Sequence, residues 1–279
     1  MGQAVFLVTS LAGLRKTTFR NKVTALVSEG EDVTVLFAMV RFDEFEQAQR
    51  QLAITFKHHE LGNHLHVQSL ADLVKTSTGV ALTPAETFNQ DFLAFEQKTF
   101  DDAEFGGTVD RYVKDGEIFG EVIKDTDGIP LKMTQFDHNE IVQSAIFEKG
   151  QLIGLMNFEQ GHLSQSLLLN SQGELVYRFI RHMRTVNWLY SMGKTSKLNF
   201  SNQVPDEDSP NNRVVYRASE KKPFYEVVDH VSYHRLGDLY EFYAMVLRSF
   251  DQSGCQLFVD LDDNPDLVTH MPQQLIFNY

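Results

Sequence analysis

The 279-residue sequence holds a single cysteine, Cys255. One thiol excludes an intramolecular disulfide framework and a cysteine-based zinc site, and it suits a reducing compartment. Cations are scarce as well: 25 Lys and Arg stand against 38 Asp and Glu, a net charge of −13. A surface of that sign repels a phosphate backbone, so general nucleic-acid binding is not expected and polybasic docking to anionic lipid is disfavoured. No apolar run reaches the length of about 18 residues that a transmembrane helix needs. The opening Met1-Gly2-Gln3-Ala4-Val5-Phe6 lacks the basic start of a signal peptide, and Phe6 stands where myristoylation of Gly2 would need Ser or Thr. These features predict a soluble, cytoplasmic protein. The GxGxxG, Walker A and HExxH patterns are also missing.

What is present is globular in composition. Hydrophobic residues make up 42%, aromatics 11% and charged residues 23%, with 22 phenylalanines for a core. The length allows one large domain or two ordinary ones.

The first segment has the pattern of a parallel α/β unit. Ala4 to Thr9 is a continuous apolar run, as a buried parallel strand requires. After the loop Ser10-Leu11-Ala12-Gly13, the residues Phe19, Val23, Leu26 and Val27 share one helical face. Gly30 stands at a C-cap position, and Val33 to Val40 is a second buried strand. Asp43 to Phe56 is helix-prone, Leu65 to Val67 is a short strand, and 84–105 is expected to be helical in its first half.

The centre has another period. Phe136, Phe147, Phe158, Leu169 and Ile180 recur every 11 residues, and a polar turn follows each of the first four. Seven-residue runs between four-residue turns predict a β-meander, with about seven strands from Thr108 to Ile180. Solenoid repeats generally run to 20 residues or more, so consecutive hairpins are the better reading. Pro205 to Asn212 is a polar loop. The helical period then returns in Leu239, Phe242, Tyr243, Val246, Leu247 and Phe250, with Asp238 as N-cap. Leu257–Asp260 and the final 274–279 segment are two more strands. The expected fold class is an α/β Rossmann-like lobe interrupted by an antiparallel β-meander domain: 1–107, 108–200 and 201–279.

Several groups could carry chemistry. The turn Ser10 to Gly13 leads into Arg15, Lys16 and Thr17, and a helix N-terminus after a first strand is where α/β proteins bind phosphate. The bland alternative is a plain βα turn with a basic first turn. Asp260-Leu261-Asp262-Asp263 follows a strand and could hold Mg²⁺ or Mn²⁺, but no second ligand group is visible, so an acidic loop is the better reading. His58, His59, His64 and His66 are close in sequence but have no ligand spacing, and His230 and His234 stand at i, i+4 in a segment that is not clearly helical, so surface histidines are the better reading of both. Cys255 is expected to be a buried structural thiol rather than a nucleophile. Leu167-Leu168-Leu169 is apolar toward both faces of its sheet, which calls for a covering element or another subunit.

The order AVFLVTS, small-residue loop, KTTFRNK and EDVTVLF resembles the N-terminus of GT-B-fold bacterial glycosyltransferases. The nearest are the wall teichoic acid sugar transferases of the TagE and TarM type, together with the accessory-Sec glycosyltransferases of Ser-rich adhesins. The hairpins from Tyr112 to Ile180, the helix at Leu239 to Phe250 and the strands LFVD and LIFNY follow that family's order. The resemblance implies the acceptor-side half of a retaining enzyme that transfers a sugar from a nucleotide-sugar donor to a polyol-phosphate or protein acceptor. Ala12 and Gly13 stand where the family carries paired glycines, so Ala12, Gly13, Lys16 and Thr17 become the expected contacts to a donor diphosphate. Family members continue with a donor-binding lobe, so the 279 residues are expected to be inactive alone. A UDP-sugar would bind only in the intact two-lobe enzyme, and neither a resident cofactor nor a metal is implied. The meander would support homo-oligomers or a catalytic partner. The alternatives are a non-catalytic scaffold and, third, a stand-alone nucleotide-binding protein.

Overall fold

A computed structural model describes residues 2–57, 64–79, 81–82, 84, 86–104, 106–182, 185–191, 215–219, 222–228, 233–236, 239–251 and 254–279, with the backbone alone inside 180–238 and at Asp251. His58, His59, His230, Asp238 and the loop 205–212 lie outside the described residues. In chain order the first elements are β1 (Gln3–Val8), α1 (Leu11–Leu14), α2 (Thr17–Ser28), β2 (Asp32–Phe37), α3 (Phe45–Phe56), β3 (Leu65–Ser69) and α4 (Leu70–Val74). Twelve strands follow: β4 (Glu96–Asp101), β5 (Thr108–Lys114), β6 (Glu117–Lys124), β7 (Pro130–Asp137), β8 (Glu140–Glu148), β9 (Gln151–Glu159), β10 (His162–Leu169), β11 (Leu175–His182), β12 (Thr185–Ser191), β13 (Val215–Ser219), β14 (Lys222–Val228) and β15 (Tyr233–Leu236). The last elements are α5 (Leu239–Asp251), β16 (Gln256–Val259), α6 (Asn264–Leu267) and β17 (Ile276–Asn278). The chain forms two compact units, Met1–Leu73 with Gly237–Tyr279, and Val74–Leu236. The change of unit thus falls between Leu73 and Val74, at the end of α4, rather than at residue 107, and the return falls at Gly237 rather than 201.

The first unit is a parallel five-stranded sheet in the order β17-β16-β1-β2-β3. β1 is central because Ala4 to Val8 are all buried, which only a strand covered on both faces allows. Phe6 stacks on Phe258 of β16 at 4.5 Å and meets Phe19 of α2 edge-on at 5.6 Å. Phe19, Val23, Leu26 and Val27 are the buried face of α2, the set that the helical period selects. Gly30 (φ +83°) ends that helix in the left-handed conformation. In α3 the buried residues are Phe45, Ala48, Leu52 and Phe56. Ser69 and Asp72 form a reciprocal cap on α4: the Asp72 amide donates to Ser69 Oγ at 3.1 Å, and the Ser69 amide donates to Asp72 Oδ2 at 2.9 Å. In α5, Tyr243 donates its hydroxyl to the Ala38 carbonyl at 2.9 Å.

The second unit holds a ten-stranded antiparallel sheet in the order β15-β12-β11-β10-β9-β8-β7-β6-β5-β4, with β13 and β14 paired separately. From β4 to β12 each strand pairs with its neighbour in the chain. The 11-residue period proves to be nine plus two rather than seven plus four: β8 and β9 have nine residues each, joined through Lys149 and Gly150. Lys149 and Gly150 both have positive φ, as do His138 with Asn139 and Gln160 with Gly161. That is the two-residue turn whose twist matches a hairpin. Phe136 and Phe147 stand at register shifts beside these turns, and the Leu163 opposite Phe158 is at a third. The strands therefore kink where the periodic aromatics fall.

One face of this sheet is covered by its own chain. The segment 84–105 is expected to begin as a helix, but its described residues contain only a short 3₁₀ turn, Asp91–Ala94, before β4. The segment instead crosses the sheet as a strap. The Ser171 amide donates to the Lys75 carbonyl at 3.1 Å, and Asn170 Nδ2 donates to the Ser77 carbonyl at 2.9 Å. Further on, the Glu86 carboxylate pairs with Arg178, and Gln143 Nε2 donates to the Glu86 carbonyl at 2.9 Å. Phe88 and Phe92 then enter the core with Tyr112, Val122, Ala145, Leu155 and Leu167. A strap placed by alternating anchors needs no helical periodicity. Phe92 lies directly over Gly120 of β6, where an added Cβ would come within 2.0 Å of the ring.

Gly120→Ala should therefore cost about 1–3 kcal/mol by overpacking, and Phe92→Ala about 3–5 kcal/mol by leaving a void. In the double variant the new methyl occupies part of that void, so the loss measured by urea unfolding should be about 1 kcal/mol or more below the sum. A strictly additive cycle would contradict the packing described.

Candidate functional site

The carboxyl ends of parallel strands are where open α/β sheets take ligands. In the first unit the residues at those ends are the turn after β1 and the acidic segment after β16. Ser10 to Gly13, read from the sequence as a loop, closes into the single helical turn α1 instead. Ser10 has extended backbone and its Oγ accepts from the Gly13 amide at 3.2 Å. The Leu14 amide reaches the Ser10 carbonyl, the Arg15 amide the Ala12 carbonyl and the Lys16 amide the Gly13 carbonyl, at 3.4, 3.2 and 3.2 Å. Every amide from Gly13 to Lys16 thus has an acceptor inside the turn.

The side chains are tied down too. Lys16 Nζ lies 2.5 Å from Asp260 Oδ1 and 2.5 Å from Asp262 Oδ2. These hydrogen bonds, first that to Asp260 and then that to Asp262, hold the ammonium above its ordinary value of 10.5. Asp260 is buried, whereas the Asp262 side chain is 82% exposed. The buried partner therefore governs the geometry, since exposed pairs contribute little. Arg15 turns away and donates Nε to Gln51 Oε1 at 3.2 Å. Ala12 and Thr17 are exposed, and Gly13 is buried. Of the four expected diphosphate contacts, the structure brings Gly13 and Lys16 together around Asp260.

The sequence singles out Asp263 with its acidic segment, but not the hydroxyls of Thr9, Tyr240 and Tyr279 that complete this cluster. Asp263 accepts from the Thr9 hydroxyl at 2.6 Å and from the Tyr240 hydroxyl at 3.0 Å. Burial raises the Asp263 carboxyl above its ordinary 3.8, and the Thr9 and Tyr240 hydroxyls pull it back only in part. The Tyr279 hydroxyl donates to the Leu7 carbonyl at 2.7 Å, and burial pushes its pKa well above 10, so it stays a neutral donor. One signal could have found the cluster: two flagged segments each follow a buried strand, and those strands pair in parallel. Beside them, a concave space of about 440 Å³ is lined by Thr18, Asn21, Lys22, Leu261, Asn278 and Tyr279.

The remaining candidates separate. His64 Nδ1 lies 2.7 Å from Asp32 Oδ1, and His66 is exposed on β3. His234 is on strand β15. Among the described residues, no group of three or more His, Cys, Asp and Glu is arranged to hold a metal ion. Cys255 is half-buried rather than buried, and its Sγ lies 3.3 Å from Gln3 Oε1. Among the described residues no helix is long and apolar enough to cross a membrane.

With this geometry in hand, comparison with known proteins adds the fold. The chain matches no protein-family model and no curated protein sequence. It is similar in structure to the Glycosylation Associate Protein (Gap123) complex from Streptococcus agalactiae, at 10% identity and a TM-score of 0.52, covering 100% of this chain and 50% of that one. It is also similar to TarM, at 8% identity and a TM-score of 0.48 with 49% of that chain covered. A GtfA/B complex matches at 10% identity and 0.48, with 47% covered. The chain spans about half the length of the structures it matches. The likeness is one of fold: a parallel sheet with helices plus a separate antiparallel sheet.

The raised Asp263 pKa has a testable sign. A fold that disfavours the carboxylate is most stable when the group is protonated, so this contribution falls as pH rises from 3.8 through the raised value. Asp263→Asn removes the titration. Thermal melts across that range should show the Tm difference, wild type minus variant, growing as pH is lowered. A difference independent of pH would contradict the assignment.

Proposed function

We propose that the chain is the N-terminal, acceptor-side part of a GT-B-like protein that serves bacterial glycosylation as a non-catalytic partner subunit. It would engage a catalytic subunit or an acceptor through its ten-stranded sheet and work in the cytoplasm. The observation that carries this reading is the end-to-end match to one half of a chain from a complex described as glycosylation-associated. The pairing of Lys16 with two carboxylates supports it, because that ammonium is then already neutralised where a donor diphosphate would meet it.

A second reading is the acceptor-side half of a retaining glycosyltransferase. It would pass a sugar from a nucleotide-sugar to a teichoic acid polyol-phosphate or a protein, and it would need a donor-binding lobe for turnover. The position of Gly13 and Lys16 at the carboxyl end of the central parallel strand favours it. In that role Ala12, Gly13, Lys16 and Thr17 would face the donor, and charge on the departing diphosphate would be stabilised between lobes.

The two separate in solution. Incubated alone with UDP-glucose or UDP-GlcNAc and either poly(glycerol phosphate) or a Ser-rich peptide, the chain should transfer no sugar. In co-purification and light scattering it should form a stable assembly with a separate transferase and raise that enzyme's turnover. Transfer by the chain alone would sink the partner reading, and so would failure to assemble.

A further inference from the structure

The turn after β1 is filled from within. Its amides from Gly13 to Lys16 are consumed by the turn itself. Its cation is held between Asp260 and Asp262. The space left by its glycine is taken as well: a Cβ on Gly13 would lie 2.8 Å from Asp260 Oδ2, with the Tyr279 hydroxyl and Ser10 Oγ next at 3.5 and 3.7 Å. In a phosphate-binding βα turn, a glycine admits the close approach of an anionic oxygen. Here the oxygen that approaches belongs to a buried carboxylate of the same chain.

Asp260 is fixed in that position. Its Oδ1 accepts from the Asp262 amide at 2.9 Å, and its carbonyl accepts from the amides of Asp263 and Asn264 at 3.0 and 3.1 Å. The geometry points to Asp260 and Asp262 as an internal anion that occupies the place of an incoming phosphate at the β1–α2 turn, so this lobe excludes nucleoside diphosphates by charge. The exclusion rests on the partner-subunit reading and says how the turn is closed. One ammonium is already shared by two carboxylates, so a diphosphate at that ammonium would bring its negative charge against those of Asp260 and Asp262.

The test is isothermal titration of the whole chain with inorganic pyrophosphate and with UDP at low salt. Wild type should show no saturable binding at millimolar concentration. Asp260→Asn/Asp262→Asn should bind pyrophosphate about tenfold tighter or more, and adding Lys16→Met should abolish the gain. Three results overturn the inference: wild-type binding that Lys16→Met removes, a folded double variant that binds no better than wild type, or a gain that survives Lys16→Met. If the double variant does not fold, the exposed Asp262→Asn decides alone. Tighter pyrophosphate binding supports the internal anion, and no change overturns it. Because the readout is anion binding, it stands apart from the transfer and co-purification assays that decide the partner reading.

Discussion

The parallel unit depends on β1 lying between β2 and β16. The β1–β2 contact is local, but the β1–β16 contact joins Phe6 to Phe258 across most of the chain. Loop-closure entropy rises only logarithmically, by about 0.6 kcal/mol for each doubling of length, so the size of the excursion is not the obstacle. A sheet whose strands followed one another from β4 to β15 with nothing more would put its two ends at opposite edges. The strap prevents this. Lys75, Ser77 and Gly79 are held at the β10–β11 turn by Ser171, Asn170 and Glu174. The chain then crosses the sheet face through Glu86, Phe88 and Phe92 before it starts β4 at the far edge. The polypeptide therefore enters the second unit at the β10–β11 turn, far from the edge strand β4 where its run of neighbouring strands begins.

This role explains a costly arrangement. Arg178 is among the largest fully buried side chains, and a buried charge is tolerated only when it is paired and hydrogen-bonded. It meets the Glu86 carboxylate and donates Nη1 to Gln165 Oε1 at 2.9 Å. A hydrophobic residue at 86 could bury itself at many places along an apolar face. A carboxylate that must reach one guanidinium fixes which stretch of the strap crosses at β11.

The legible parts of the sequence were those whose signal is periodic and local. The α2 face, α3, α5 and the hairpins from Thr108 to Ile180 repeat at intervals that a helix or a two-residue turn imposes, and Gly30 and Lys149-Gly150 mark their ends by backbone conformation. The strap was not legible, because Glu86, Phe88 and Phe92 answer to Arg178 and Gly120, which are distant in sequence and follow no period. The same holds for the site. Lys16 and the Asp260 segment each stood out alone, as a basic helix start and as an acidic loop. What joins them is the parallel register of β1 with β16, and nothing local in either stretch reports it.

That distinction bears on how function attaches to this fold. Strand order and layers are set by buried apolar residues such as Phe6, Phe258 and Leu155. Whether the first turn takes a diphosphate depends on other atoms: the acceptors of four amides, one ammonium and the carboxylate opposite Gly13. Asp260, placed by β16, lies against Gly13 without being part of the apolar core. The packing that sets the fold and the charges that line its first turn are therefore separate layers of the sequence.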